Sequence, residues 1–141
     1  GLDLGSKTIG LALSDPGLQI ASPIDTVRRT KFTKDADFLD TVIAGRNVGA
    51  LVIGLPVNMG GTEGRRCQST RQFAANLMAR GLTLPTAFWD ERLSTAAVER
   101  FLIDEADMTR RKRALVIDKM AAAYILQGAL DRLRLLPGTA N

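Results

Sequence analysis

Three acidic positions, far apart in the chain, stand where a carboxylate is hard to explain as ordinary surface. Asp3 lies between Leu2 and Leu4 in the opening segment GLDLGSKTIGLALSD, and Asp90 and Glu91 close the apolar run LPTAFWDE. Asp118 has Ala114, Leu115, Ala121 and Ala122 as its neighbours at helical spacing. An ionised group in such surroundings is costly unless it is protonated, paired with a cation or bound to a metal. Asp131, flanked at the same spacings by Gln127, Gly128, Arg134 and Leu135, needs only solvation. Each acid taken singly has a plainer alternative: an arginine partner for Asp118, a turn beside Gly5 for Asp3, a strand-ending acid for Glu91. Taken together, oxygen donors from separate elements in a chain with no histidine and one cysteine, Cys67, suit a hard cation such as Mg²⁺ or Mn²⁺. Two such ions about 4 Å apart hydrolyse phosphodiesters, one activating a water and the other stabilising the leaving oxygen.

The basic residues bear on the same chemistry. Lys and Arg exceed Asp and Glu by 19 to 15, and they cluster at residues 28–34, at Arg65 and Arg66, and at Arg110, Arg111, Lys112 and Arg113. The last group falls in the expected first turn of a helix, where the macrodipole disfavours cations and an anion would compensate. Arg111 precedes Asp118 by two helical turns, so a phosphate backbone lying across both explains the arrangement; a frayed, solvated helix start is the alternative. Lys7 and Arg92, each close in sequence to a candidate metal ligand, are further expected phosphate contacts. Gly60 and Gly61 precede Thr62, whose side chain is expected to cap a helix. Backbone N–H groups there would hold a phosphate, or the pair is only a tight turn; without a Gly-Lys-Ser/Thr ending it is not a P-loop.

The elements that must position these residues follow from the pattern. Residues 1–5, 8–14 and 19–29 read as an antiparallel meander, with Asp15-Pro16-Gly17 as the turn that closes the second segment. Residues 35–44 carry Phe38, Leu39, Val42 and Ile43 at helical spacing, and ALVIGLP is the continuous apolar run of a buried parallel strand. A helix from Thr62 to Gly81 with Phe73, Ala74, Leu77 and Met78 on one side, the strand LPTAFWDE, a helix from Ser94 to about Glu105 and a long one from Thr109 to about Leu136 complete the order. The expectation is an α/β fold: a mixed five-stranded sheet, a three-strand antiparallel meander plus two parallel strands, flanked by helices.

At 141 residues and 45% hydrophobic content the chain fits one domain spanning 1–141, and no apolar run reaches the roughly 20 residues needed to cross a bilayer. No leader pattern is visible, and the expected address is cytoplasmic. Only two residues precede Asp3 and neither is Met, so the first strand is expected to be truncated. The lone Cys67 excludes an internal disulfide, and the lack of histidine excludes the usual zinc sets and histidine triads.

Four segments in order, GLDLGSKTIGLALSD, VIGLPVNMGG, FWDERLST and DKMAAAYILQGALD, resemble the signatures of the YqgF family, the Holliday-junction-resolvase-like or pre-16S rRNA nucleases, over nearly the whole chain. The resemblance implies a ribonuclease-H-like fold, a divalent-metal nuclease site with two Mg²⁺ or Mn²⁺ ions, and nucleic acid as partner, either structured RNA or branched DNA. Carried over residue by residue, it makes Asp3, Glu91 and Asp118 the catalytic metal ligands. Asp90 and Glu91 point to opposite faces of a strand, so only one faces the metal; the resemblance makes it Glu91, while Asp90 pairs with Arg92 or caps the next helix. Lys7, Arg92, Arg110 and Arg111 are the expected nucleic-acid contacts; the family pattern often has Lys-Arg where this chain has Lys7-Thr8. The leading function is a metal-dependent nuclease in pre-16S rRNA 5′-end processing, acting as monomer or homodimer. Alternatives are a junction resolvase, a non-catalytic RNA-binding module and an ATP-binding kinase-like fragment, the last because the opening segment also resembles the phosphate-binding segment of sugar kinases.

Overall fold

The structure, a computed structural model, describes residues 1–93 and 110–137, with the side chains of 110–119 outside the description. The expected Ser94 helix and the Thr109 cap lie outside the described residues. Strands β1 (Leu2–Leu4), β2 (Thr8–Ser14) and β3 (Ala21–Arg28) form the meander. Helix α1 (Phe32–Gly45), strand β4 (Leu51–Leu55), helix α2 (Arg65–Ala79), strand β5 (Thr86–Asp90) and helix α3 (Arg110–Leu135) follow. The sheet order is β3-β2-β1-β4-β5, with β1 parallel to β4 and β4 parallel to β5; the mixed five-stranded sheet is the expected one, and its order comes from the structure.

The sheet is covered on both faces, and β1 shows why. Leu2 and Leu4, 4% and 6% exposed, point to one side and join Ile9, Ile53, Leu39, Phe73 and Leu77 in a core under α1 and α2. Each buried side chain of this size contributes about 1.5–3 kcal/mol. The other face packs on α3 through small residues: Ala12, Ala122 and Ala123 are buried with Leu126 and Leu130. A Cβ placed on Gly1 would lie 2.8 Å from Leu126 Cβ, and one on Gly128 would lie 2.9 Å from the Trp89 ring, so α3 sits close against β1 and β5.

Two helix starts differ from expectation. The first helix begins at Phe32 rather than Asp35, because buried Asp35 lies inside the first turn, where Oδ1 accepts the Thr30 N–H at 3.1 Å and the Thr30 hydroxyl at 3.2 Å. Thr62 does not cap α2. Its carbonyl accepts the Asn58 N–H and its hydroxyl accepts Asn58 Nδ2 at 3.1 Å, closing a loop around Gly61 at φ 91°; the helix starts beyond it with Gly64 as N-cap. Among the described residues, no helix is long and apolar enough to cross a membrane.

Candidate active site

Parallel register brings the first two acids together. Leu2 is level with Ile53, so the next step along each strand sets Asp3 beside Gly54, on the face turned toward α3. Across β4, Gly54 is level with Trp89 and Leu55 with Asp90. The Glu91 N–H donates to the Leu55 carbonyl at 3.1 Å, which extends the ladder by one residue and returns Glu91 to the Trp89 face.

Gly54 makes this approach possible. A Cβ there would lie 2.7 Å from Glu91 Oε1, 3.0 Å from Glu91 Cγ and 2.5 Å from Ile125 Cδ1 of α3. The Glu91 carboxyl therefore lies directly over the β4 backbone, at the edge where α3 closes on the sheet. Burial, the charge of Asp3 and a hydrogen bond to the Asp3 carboxylate, with a smaller push from Asp90, raise Glu91 to about 7 against the opposing pull of Arg66. Glu91 therefore keeps its proton well above the pH at which an ordinary glutamate ionises, because its charged form would lie buried against the Asp3 carboxylate.

Asp90 faces away from Glu91, as strand alternation requires, and pairs with Arg92. Arg92 Nη2 donates to Asp90 Oδ2 at 2.6 Å and the Arg92 N–H to Oδ1 at 2.9 Å, which holds Asp90 below the ordinary carboxylate range. Arg92 Nη1 also reaches the Met59 carbonyl at 3.3 Å, tying the end of β5 to the Gly60-Gly61 turn.

The family profile described as RuvX: Holliday junction resolvase matches residues 1–132. The chain belongs to this family. Relatives named "Putative pre-16S rRNA nuclease" include those of Rhodospirillum centenum, 65% identical over 95% of this chain and 73% of the relative, and Phenylobacterium zucineum, 63% identical over 95% and 86%. A third, from Paramagnetospirillum magneticum, is 66% identical over 93% and 83%. Among solved structures, the fowlpox virus resolvase in complex with Holliday junction DNA matches with a TM-score of 0.50 at 11% identity, over 94% of this chain and 95% of that one. That likeness is one of fold, the ribonuclease-H-like arrangement that the resemblance implied.

Within this RuvX-family chain, the structure brings Asp3 and Glu91 together; the Asp118 backbone lies in α3, two turns before Ile125. The side chains of Asp118, Arg110 and Arg111 are outside the described residues, and among the described residues no cluster of three metal-ligating groups forms. Lys7 is exposed in the β1–β2 turn, at the end of the strand that carries Asp3. Sequence reasoning missed Gly54 and Arg66. A glycine inside an otherwise apolar strand is a known mark of close approach and would have flagged the first. Arg66 had only its neighbour Arg65 to recommend it.

Proposed function

We propose that this RuvX-family chain is a metal-dependent nuclease that hydrolyses phosphodiester bonds at the 5′ end of pre-16S rRNA during ribosome biogenesis. The observation that carries the metal reading is the meeting of Asp3 and Glu91 over Gly54, where two carboxyls compete for one proton and a hard cation would relieve the repulsion. The substrate reading rests on the names of the relatives. Asp3, Glu91 and Asp118 would hold Mg²⁺ or Mn²⁺, two ions in all, supplying an activated water and charge for the leaving oxygen.

The chain's own residues do the rest. Glu91 must give up its proton for the site to bind a cation, and the Arg66 guanidinium favours that ionised form. Lys7, Arg110 and Arg111 hold the nucleic-acid backbone. Arg92 joins them with the N–H donors it does not spend on Asp90 and Met59, since a guanidinium has five. The second reading is a junction resolvase, favoured by the family description.

The test is incubation of the full chain with precursor 16S rRNA and, separately, a four-way DNA junction, in Mn²⁺ or in EDTA. Cleavage of the RNA in Mn²⁺ alone, lost in Asp3→Asn and in Asp118→Asn, is the expected result. Cutting in EDTA, or by the double variant, overturns the metal site; cutting of the junction but not the RNA replaces the first reading by the second.

A further inference from the structure

Around the end of β1 from the acid pair lies a cavity of about 140 Å³ between the β1–β2 turn and the first two turns of α2. Its polar lining comes from Ser6, Arg29, Arg66, Ser69 and Thr70, and its apolar wall includes Leu4 and Phe73. No carboxylate lines it among the described residues.

Three observations point to an anion. First, Arg29 is pre-positioned: Nη1 donates to the Gly5 carbonyl at 2.7 Å, and the guanidinium lies over the Phe73 ring at 5.5 Å. A planar cation held by one hydrogen bond and one ring face keeps most of its donors for a ligand. Second, Arg66 enters the same lining from α2, so two guanidinium-bearing residues meet there beside the hydroxyl-bearing Ser6, Ser69 and Thr70, the last only 4% exposed. Third, the cavity lies at the start of α2, where first-turn N–H groups face outward and no side chain caps them.

We propose that this cavity is a phosphate subsite, which takes one phosphate of the substrate strand beside the acid pair while the pair acts on another. The strand's identity rests on the nuclease reading above; the subsite itself does not. Arg29 and Arg66 supply the charge, and the hydroxyls of Ser6, Ser69 and Thr70 supply hydrogen bonds of tetrahedral reach. Arg66 also acts on Glu91 through its charge, so it stands between the two places. An internal phosphodiester and a terminal 5′-phosphate present the same chemistry to this lining.

The experiment is done in EDTA, where no metal-dependent cleavage interferes. Inorganic phosphate titrated into the full chain at low ionic strength should shift the amide signals of Ser6, Ser69 and Thr70 saturably. Arg66→Gln should weaken binding about tenfold and Thr70→Val about threefold, as loss of charged and neutral hydrogen bonds implies. Arg71→Gln, on the same helix but paired with Glu63 at 2.7 Å outside the cavity, should bind phosphate like the parent. Short RNAs with a 5′-phosphate or a 5′-hydroxyl then separate the sources. Preference for the phosphorylated end, lost in Arg66→Gln, assigns a terminal phosphate. Equal binding of both, weakened together with a salt slope lower by about one, assigns an internal phosphate. Absence of amide shifts, or variants that bind phosphate and RNA like the parent, overturns the subsite whatever the outcome of the Mn²⁺ cleavage test.

Discussion

The two faces of the sheet at β1 are built to opposite specifications within three consecutive residues. Toward α1 and α2, Leu2 and Leu4 enter a layer of leucine, isoleucine and phenylalanine side chains. Toward α3, Asp3 shares its level with Gly54, and the helix is received by alanines and glycines. Large side chains hold a helix off the sheet and fill the space with apolar contact. Small ones let its backbone approach, and the bare Gly54 leaves room for the Glu91 carboxyl over β4. The first face supplies stability, and the second gives some of it up so that Glu91 can lie against Asp3.

Substitutions that differ only in which face they strike sharpen this contrast, and the largest effect belongs to β1 itself. Leu2→Ala should lower the unfolding free energy by about 2–5 kcal/mol, seen in urea denaturation, while the protein that remains folded keeps its specific activity. Asp3→Asn should do the reverse: cleavage falls below detection while the urea midpoint holds or rises, because a carboxyl that repels Glu91 has been neutralised. If both variants lose stability equally, the division of labour between the faces is wrong.

The next effect separates two glycines. Gly54→Ala puts a methyl 2.7 Å from Glu91 Oε1 and 2.5 Å from Ile125 Cδ1, so either Glu91 moves or α3 lifts. The cost should be about 1–3 kcal/mol, and nuclease activity should fall with it. Gly49→Ala, with nothing within 4 Å, should leave both unchanged. Thermal melts and single-turnover cleavage on the same samples read the two effects separately. Equal, small changes in both variants would show that Glu91 does not depend on a bare β4 backbone.

What was legible in the sequence follows the same division. The apolar face announces itself through periodicity, so the five strands and three helices are readable from alternation and helical spacing alone. Asp3 was readable because a charge among leucines breaks that pattern; strand alternation said only that one of Asp90 and Glu91 faces the site, and the family resemblance pointed to Glu91. Contacts that depend on three-dimensional closure were not readable. Thr62 looked like a helix cap, but Asn58 four residues earlier takes both its carbonyl and its hydroxyl into a loop. The start of α1 was misplaced because Asp35 binds back to Thr30 from inside the helix, and local propensity cannot tell that from a cap. Arg29 read as one of a surface cluster until Phe73, from a distant helix, appeared beneath it.

The smallest expected effect concerns protons. Glu91 titrates at about 7 in the folded metal-free chain against 4.5 ordinarily, so between those values the folded state holds a proton that the unfolded state has released. Its contribution to stability is present in full below pH 4.5 and is lost as pH rises through 7. Glu91→Gln keeps the shape and cannot ionise. It should therefore match the parent near pH 4 and exceed it above pH 7 by on the order of 1 kcal/mol, after allowance for partial solvation. Saturating Mn²⁺ should abolish the difference or reverse it, because a bound cation favours the ionised carboxylate that glutamine lacks. Stability curves of the two proteins that run parallel from pH 4 to 8 without metal would mean that neither burial nor Asp3 perturbs Glu91, and the α3 face would then be an ordinary side of the core.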